Sequence, residues 1–274
     1  MTDDAGKRDA LGRIGIVGAG HVGVAVAARL VASGVGGDSL RLGNRESASS
    51  RERAAAAGVA DLLTDVKAAV DSSDVILYAV RPADCALLGA YPLECGQSVI
   101  SVLAGTPLAN VARHARGAGR LARAMISSPD TIVAGRSIGA FYGDASAQAK
   151  ALFERIGTEV VALDGEARFD AFTALGPCLP IALTYCEAAG IAPRDDDVLD
   201  CAAACGLGDW RRVLDWAQRV RPRNLGEADT QAYLNHAATP GGITEAILRS
   251  LRTGGHLSDA LRDGIRHGAA MARS

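Results

Sequence analysis

The sequence predicts an α/β fold, with a mostly parallel sheet in the N-terminal part and an all-helical C-terminal part. Three observations carry this. Short β-branched runs alternate with helical segments from Ile14 to Leu163. The first run ends in Gly18-x-Gly20-x-x-Gly23 and passes directly into a helix-forming stretch, Val24 to Leu30. After about residue 165 the strand signals vanish, and apolar residues recur at helical spacing. The expected domains are residues 1–165 and 166–274.

Each glycine of the first turn has a physical task. Gly18 allows the tight turn, Gly20 lets a pyrophosphate approach the backbone, and Gly23 lets the helix pack closely on the strand. The helix start adds unpaired N–H groups and a positive dipole end. His21 and Val22 lie inside this loop; His21 either touches phosphate or packs at the helix start. Between a strand and a helix, with a second strand following, the motif reads as a dinucleotide site of the Rossmann type.

The remaining elements follow in order. Residues 1–12 read as a disordered leader, and Ser39 to Gly43 as the second strand. Its end, Asn44-Arg45-Glu46-Ser47, lies where such folds choose their cofactor. An acidic residue there would accept from a ribose hydroxyl and repel a 2′-phosphate. Asn44 is neutral and Arg45 holds a phosphate bidentately, so NADP(H) is favoured over NAD(H). Helices are expected through Ala54–Ala57 and Asp65–Val70. Asp74 to Pro82 and Ser98 to Pro107 each read as a buried strand followed by a turn. Ala79, Val80 and Arg81 in the first, and Ala104 and Gly105 in the second, fall at carboxyl ends where open sheets bind ligands. Arg120–Met125 is a further strand, Ala145–Ile156 a helix and Glu159–Leu163 the last strand.

Beyond these, Glu166–Cys186 is helical in period but interrupted by Gly176-Pro177 and Pro180. Helices are expected over 195–205, 210–220, 227–236, 244–251 and 257–272. Their apolar faces lie on more sides than a five-helix unit covers, which predicts an obligate dimer through residues 165–274.

The composition excludes several classes. Of 274 residues, 49% are hydrophobic and only 4% aromatic, so a sizeable core must be built from Ala, Val, Leu and Ile. A net charge of −2 gives no electrostatic argument for nucleic acid or membrane. The six cysteines have no zinc spacing, so no metal is expected, and they read as small core residues of a reducing compartment. The N-terminus lacks a signal-peptide apolar region, and no apolar run reaches membrane-spanning length, so a cytoplasmic protein is expected.

The chain resembles the pyrroline-5-carboxylate reductases from Ile14 almost to Ser274. The matching stretches are Ile14 to Gly20, Asn44-Arg45, Ala79 to Pro82, Ser101 to Gly105, Asp170 to Leu175, and Thr239-Pro240-Gly241-Gly242-Ile243-Thr244. In that family the last stretch opens a helix and holds the carboxylate of a cyclic imine beside the nicotinamide. The resemblance implies NADPH-dependent reduction of a carboxylated cyclic imine, with 1-pyrroline-5-carboxylate to proline as its main case. It also implies an interlocked homodimer, or a higher homo-oligomer, in which the helical domain of one chain completes the other's site.

Physical reading of the turn agrees with that role. Gly241 and Gly242 let the backbone approach a ligand, and successive N–H groups through Ile243 suit an anion. Thr244 donates to a carboxylate or accepts from an iminium N–H, and is the expected catalytic residue. The bland alternative is an ordinary helix entry with Thr239 as N-cap. Two departures stand out. Where the family usually reads Gly-Ser-Gly-Pro-Ala-Tyr, this chain has Ala174-Leu175-Gly176-Pro177-Cys178-Leu179. Where it reads Met-Pro-Asn-Thr-Pro, this chain has Met125-Ile126-Ser127-Ser128-Pro129. Both segments are expected to face the site.

An imine that arrives protonated needs mainly alignment, which suits a chain without an evident acid/base pair. A 3-hydroxyacid dehydrogenase would need a lysine from the helical domain, and none follows Lys150. His236, His256 and His267 read as surface or capping residues. The alternatives kept open are a reductase of a different cyclic imine and a non-catalytic NADP-binding protein.

Overall fold

The computed structural model describes residues 11–45, 47–238 and 240–271. Residues 1–10 of the expected leader, together with Glu46, lie outside the described residues. The chain divides into two compact units, Met1–Ala162 and Leu163–Ser274.

In the first unit, strands β1 (Ile14–Val17), β2 (Leu40–Gly43), β3 (Leu63–Thr64), β4 (Val75–Tyr78), β5 (Ser98–Ser101), β6 (Arg120–Ile126), β7 (Ile138–Gly143) and β8 (Glu159–Val160) form one sheet. Their order is β3-β2-β1-β4-β5-β6-β7-β8. All neighbours are parallel except β6 and β7. Helices α1 (His21–Ala32), α2 (Ala48–Ala56), α3 (Val66–Asp71), α4 (Leu108–Ala112), α5 (Pro129–Val133) and α6 (Ser146–Arg155) connect them.

The sheet is buried on both faces, which its unbroken apolar strands require. In β4, Val75 and Leu77 join Ile14, Ile16, Leu30, Leu42 and Phe153 in one cluster. Ile76 and Tyr78 point the other way, into a cluster with Val66, Val70, Val99 and Val111. Strands β3 and β7 and helices α4 and α5 have no counterpart in the sequence reading, and the last strand is two residues instead of five. The 127–137 connection explains β7. It is shorter than the dozen or so residues a parallel crossover takes, so the chain folds back antiparallel.

The second unit is helical: α7 (Phe169–Leu175), α8 (Leu179–Ala188), α9 (Asp195–Ala204), α10 (Arg211–Val220), α11 (Glu227–Ala237), α12 (Ile243–Arg252) and α13 (Leu257–Met271). Pro180 is not the second interruption expected. It occupies the first turn of α8, where a missing N–H leaves no bond unmade. The break spans Gly176, Pro177 and Cys178. Trp210 closes it: its indole N–H donates to the Leu175 carbonyl at 2.9 Å, and its ring meets Phe172 edge-on. Helix α13 turns Gly264 and Gly268 toward α12, and side chains there would press on Ile247 and Ile243.

Two expectations are corrected here. Glu166–Ala188 is long and apolar enough to cross a membrane by length and composition, but 83% of its apolar window is buried within the fold, as a core segment would be. Of the six free cysteines, Cys178, Cys186 and Cys201 are buried, Cys85 and Cys205 only half-buried, and Cys95 exposed. Among the described residues of the helical unit, the one large apolar side chain with substantial exposure is Leu225, at 36%.

Trp210→Phe keeps an aromatic ring against Phe172 but leaves the buried Leu175 carbonyl without its donor. Denaturant unfolding should show a loss of about 1–3 kcal/mol.

Candidate functional site

Strands β2, β1, β4 and β5 end level with one another. Val17 pairs with Gly43 on one side and with Tyr78 on the other, and Tyr78 pairs with Ser101. The sequence-predicted cofactor residues leave from these four ends: Gly18 to Gly23, Asn44-Arg45, Ala79 to Arg81, and Ala104-Gly105. Between β1 and β4 the strand order reverses, and ligands bind such sheets at this switch point.

The three glycines of the first loop differ in what surrounds them. Gly18 has φ 117°, and a side chain there would meet the Ala79 carbonyl oxygen at 2.6 Å. A side chain on Gly23 would overlap the Gly18 carbonyl oxygen, so α1 could not sit this close to β1. At Gly20 a Cβ would meet nothing within 4 Å. Two glycines therefore serve the packing, while the third faces open space beside the start of α1. A pyrophosphate fits these residues: the exposed loop face and the N–H groups opening a twelve-residue helix suit an anion. His21 is the first residue of that helix and is exposed. Arg53 on α2 fixes the loop from behind, donating to the Ala19 carbonyl at 3.1 Å.

Arg45 is more than half exposed, and its guanidinium lies 3.2 Å from a carboxylate oxygen of Asp84. Arg81 reaches the same oxygen at 3.0 Å. The sequence reading missed Asp84, which comes two residues after Pro82 in the loop following β4. The Arg81 hydrogen bond first, and the charge of Arg45 with it, hold the Asp84 carboxyl below its usual range. The loop carrying Asp84 is tied to the sheet by Tyr78. Its hydroxyl lies 2.9 and 3.0 Å from the Asp84 and Cys85 carbonyls and accepts from the Leu88 N–H. Asn44 is buried, and its backbone N–H pairs with the Thr64 carbonyl. A 2′-phosphate at this corner would find two guanidinium groups, with an internal carboxylate already between them.

In the helical unit, Thr239 lies outside the described residues. Gly241 has φ 71° and Gly242 caps α12. The Gly241 N–H donates to the Glu245 carboxylate at 2.7 Å, and its carbonyl accepts from the His267 ring at 2.8 Å. His267 is thus a clamp on the turn, and neither it nor Glu245 was singled out for a site role. Ile243 is buried. The Thr244 hydroxyl stands 3.2 Å from the Cys178 sulfur. Burial pushes the Cys178 thiol up to about 11, so it is uncharged near neutral pH and adds no charge beside Thr244.

The two segments that depart from the family pattern are largely buried. Leu175 and Leu179 are fully buried, and of that segment Cys178 is the residue that reaches Thr244. In the other segment Ser127 is also buried, with its hydroxyl bonded to Thr131 and to the Ile138 N–H.

Residues 13–105 match a family model described as NADP oxidoreductase coenzyme F420-dependent, in agreement with an NADP cofactor. A search of curated proteins finds no match to the sequence. Among solved structures, the chain is similar to a 1-pyrroline-5-carboxylate reductase from Streptococcus pyogenes. Identity is 21%, coverage 96% of this chain and 99% of that one, and the TM-score 0.59. A pyrroline-5-carboxylate reductase from Coxiella burnetii gives 19% identity, 96% and 100% coverage and a TM-score of 0.61. The Plasmodium falciparum pyrroline carboxylate reductase, a structure with NADP bound, gives 14%, 95% and 98%, and 0.58. At these identities the likeness is one of fold, and it runs through both units.

Gly20→Ala and Gly23→Ala separate the two kinds of glycine. Gly23→Ala should destabilise the protein by about 1–3 kcal/mol through overpacking. Gly20→Ala should leave the unfolding midpoint nearly unchanged and weaken NADPH binding in a fluorescence titration.

Proposed function

We propose that this chain is an NADPH-dependent reductase of a small cyclic imine, a divergent relative of the pyrroline-5-carboxylate reductases working as a homodimer in the cytoplasm. The observation that carries the reading is the Gly241-Gly242 turn opening α12, with Thr244 in its first turn, in a chain whose other unit has a dinucleotide-binding loop. NADPH, when bound, supplies the hydride. Gly18 to Gly23 would hold its pyrophosphate, and Arg45 and Arg81 its 2′-phosphate.

The chain's own part is binding and alignment. Gly241, Gly242 and Ile243 would hold the substrate ring's substituent through the backbone, and the Thr244 hydroxyl would bond the imine nitrogen. That nitrogen arrives protonated, so no residue need deliver a proton before reduction. The Cys178 thiol keeps the Thr244 hydroxyl oriented without competing as an anion.

The named case is 1-pyrroline-5-carboxylate to proline. A second reading, a different cyclic imine, is favoured by Glu245, whose carboxylate already accepts from the Gly241 N–H. A protein that binds NADP without reducing anything would bind NADPH and leave it unoxidised whichever imine is added.

Steady-state rates with both cofactors test the cofactor half of the reading. NADPH should be strongly preferred over NADH. Arg45→Ala should raise the KM for NADPH about tenfold while leaving NADH little changed, because Arg45 is exposed and shared with Asp84. Equal use of both cofactors by the unmutated protein would remove the Arg45 assignment.

A further inference from the structure

The turn expected to hold a substrate carboxylate already holds one. The Gly241 N–H, one of the donors such an anion would use, is engaged at 2.7 Å by a carboxylate oxygen of Glu245. The contact is reinforced from both sides. His267 donates to the Gly241 carbonyl at 2.8 Å, and Arg249, one turn along α12, lies 3.6 Å from the same Glu245 oxygen. Both backbone polar groups of Gly241 are thus taken by side chains of the same unit. The side chain of Glu245 is 40% exposed, so its charge is felt at the surface of the turn.

We infer that Glu245 is a specificity-determining residue that turns this site away from carboxylated imines and toward cyclic imines without a carboxylate, bound as iminium cations. The inference rests on the proposed reductase function and deepens it by naming the substrate class. Its physical basis is twofold. A substrate carboxylate would have to displace Glu245 from the Gly241 N–H, and would then lie within a few ångströms of a second negative charge. A protonated imine without a carboxylate meets no such conflict, and the Glu245 charge favours its cationic form.

Glu245→Gln separates charge from geometry. Its amide oxygen still accepts from the Gly241 N–H, so the helix entry survives while the negative charge is gone. The experiment compares kcat/KM for 1-pyrroline and 1-pyrroline-5-carboxylate in the wild-type protein and in Glu245→Gln, both with NADPH. The wild-type protein should favour 1-pyrroline, and Glu245→Gln should shift the ratio toward the carboxylated imine on the order of tenfold. A wild-type preference for the carboxylated imine, or a ratio unchanged by Glu245→Gln, overturns the inference. If neither imine is reduced, the proposed function fails, and calorimetry of pyrrolidine and proline binding to the NADP complex decides this point. Proline binding gained in Glu245→Gln then supports the role of Glu245, and proline binding equal in both proteins refutes it.

Discussion

The near-contact between Gly23 and the Gly18 carbonyl is the constraint on which the rest of the cofactor unit depends. Helix α1 can begin directly after the first loop, and lie this close to β1, only because Gly23 carries no side chain. That closeness buries Val24, Val26, Ala27 and Leu30 against the sheet and leaves the start of α1 beside the strand ends. Gly18 completes the arrangement with a positive φ that turns the chain under the Ala79 carbonyl. The open face at Gly20 follows from the other two. The loop is held by its own backbone, so its ligand-facing side needs no side chain to support it.

A second theme is that both expected anion-binding points contain an internal carboxylate. At the cofactor corner, Asp84 is shared by Arg45 and Arg81; at the helical turn, Glu245 is bound to Gly241. The two are not equivalent. Two arginines around one carboxylate leave a net positive charge, so a phosphate still gains by arriving. At the turn, Glu245 has Arg249 for company at 3.6 Å and a backbone N–H, so a second carboxylate gains much less. On the proposed reading, the same kind of internal contact would tolerate a phosphate in one unit and discriminate against a carboxylate in the other.

The sequence was most legible where one local rule decided the outcome. The glycine spacing located the β1–α1 turn, continuous apolar runs located β4 and β5, and the short run from Ser39 to Gly43 located β2. Helical spacing located α9 to α13 within a residue or two. It was least legible where length or tertiary pairing decided. Strand β3 has two residues and α4 and α5 five each, too short for a periodic pattern. Strand β7 has the composition of a strand but lies in a stretch with glycines, and its direction depends on the loop before it. From sequence, Pro180 reads as a break because its place in a helix is invisible until the helix start is known. The site residues that were missed had local signals. Asp84 follows Arg81 by three residues, and Glu245 follows Gly241 by four, at the start of a helix where an acidic side chain reaches back to an N–H. The link from His267 to Gly241 had no such signal, because 26 residues separate them.

The central claim is hydride transfer from NADPH to an imine carbon. Its most direct measurement uses NADPH carrying deuterium at the transferable position of the nicotinamide. The purified protein is incubated with this cofactor and a small set of cyclic imines, and the products are read by mass spectrometry and NMR. The account predicts a cyclic amine bearing one deuterium at the former imine carbon, formed in step with cofactor oxidation. Tight NADPH binding with no deuterium in any amine would contradict it.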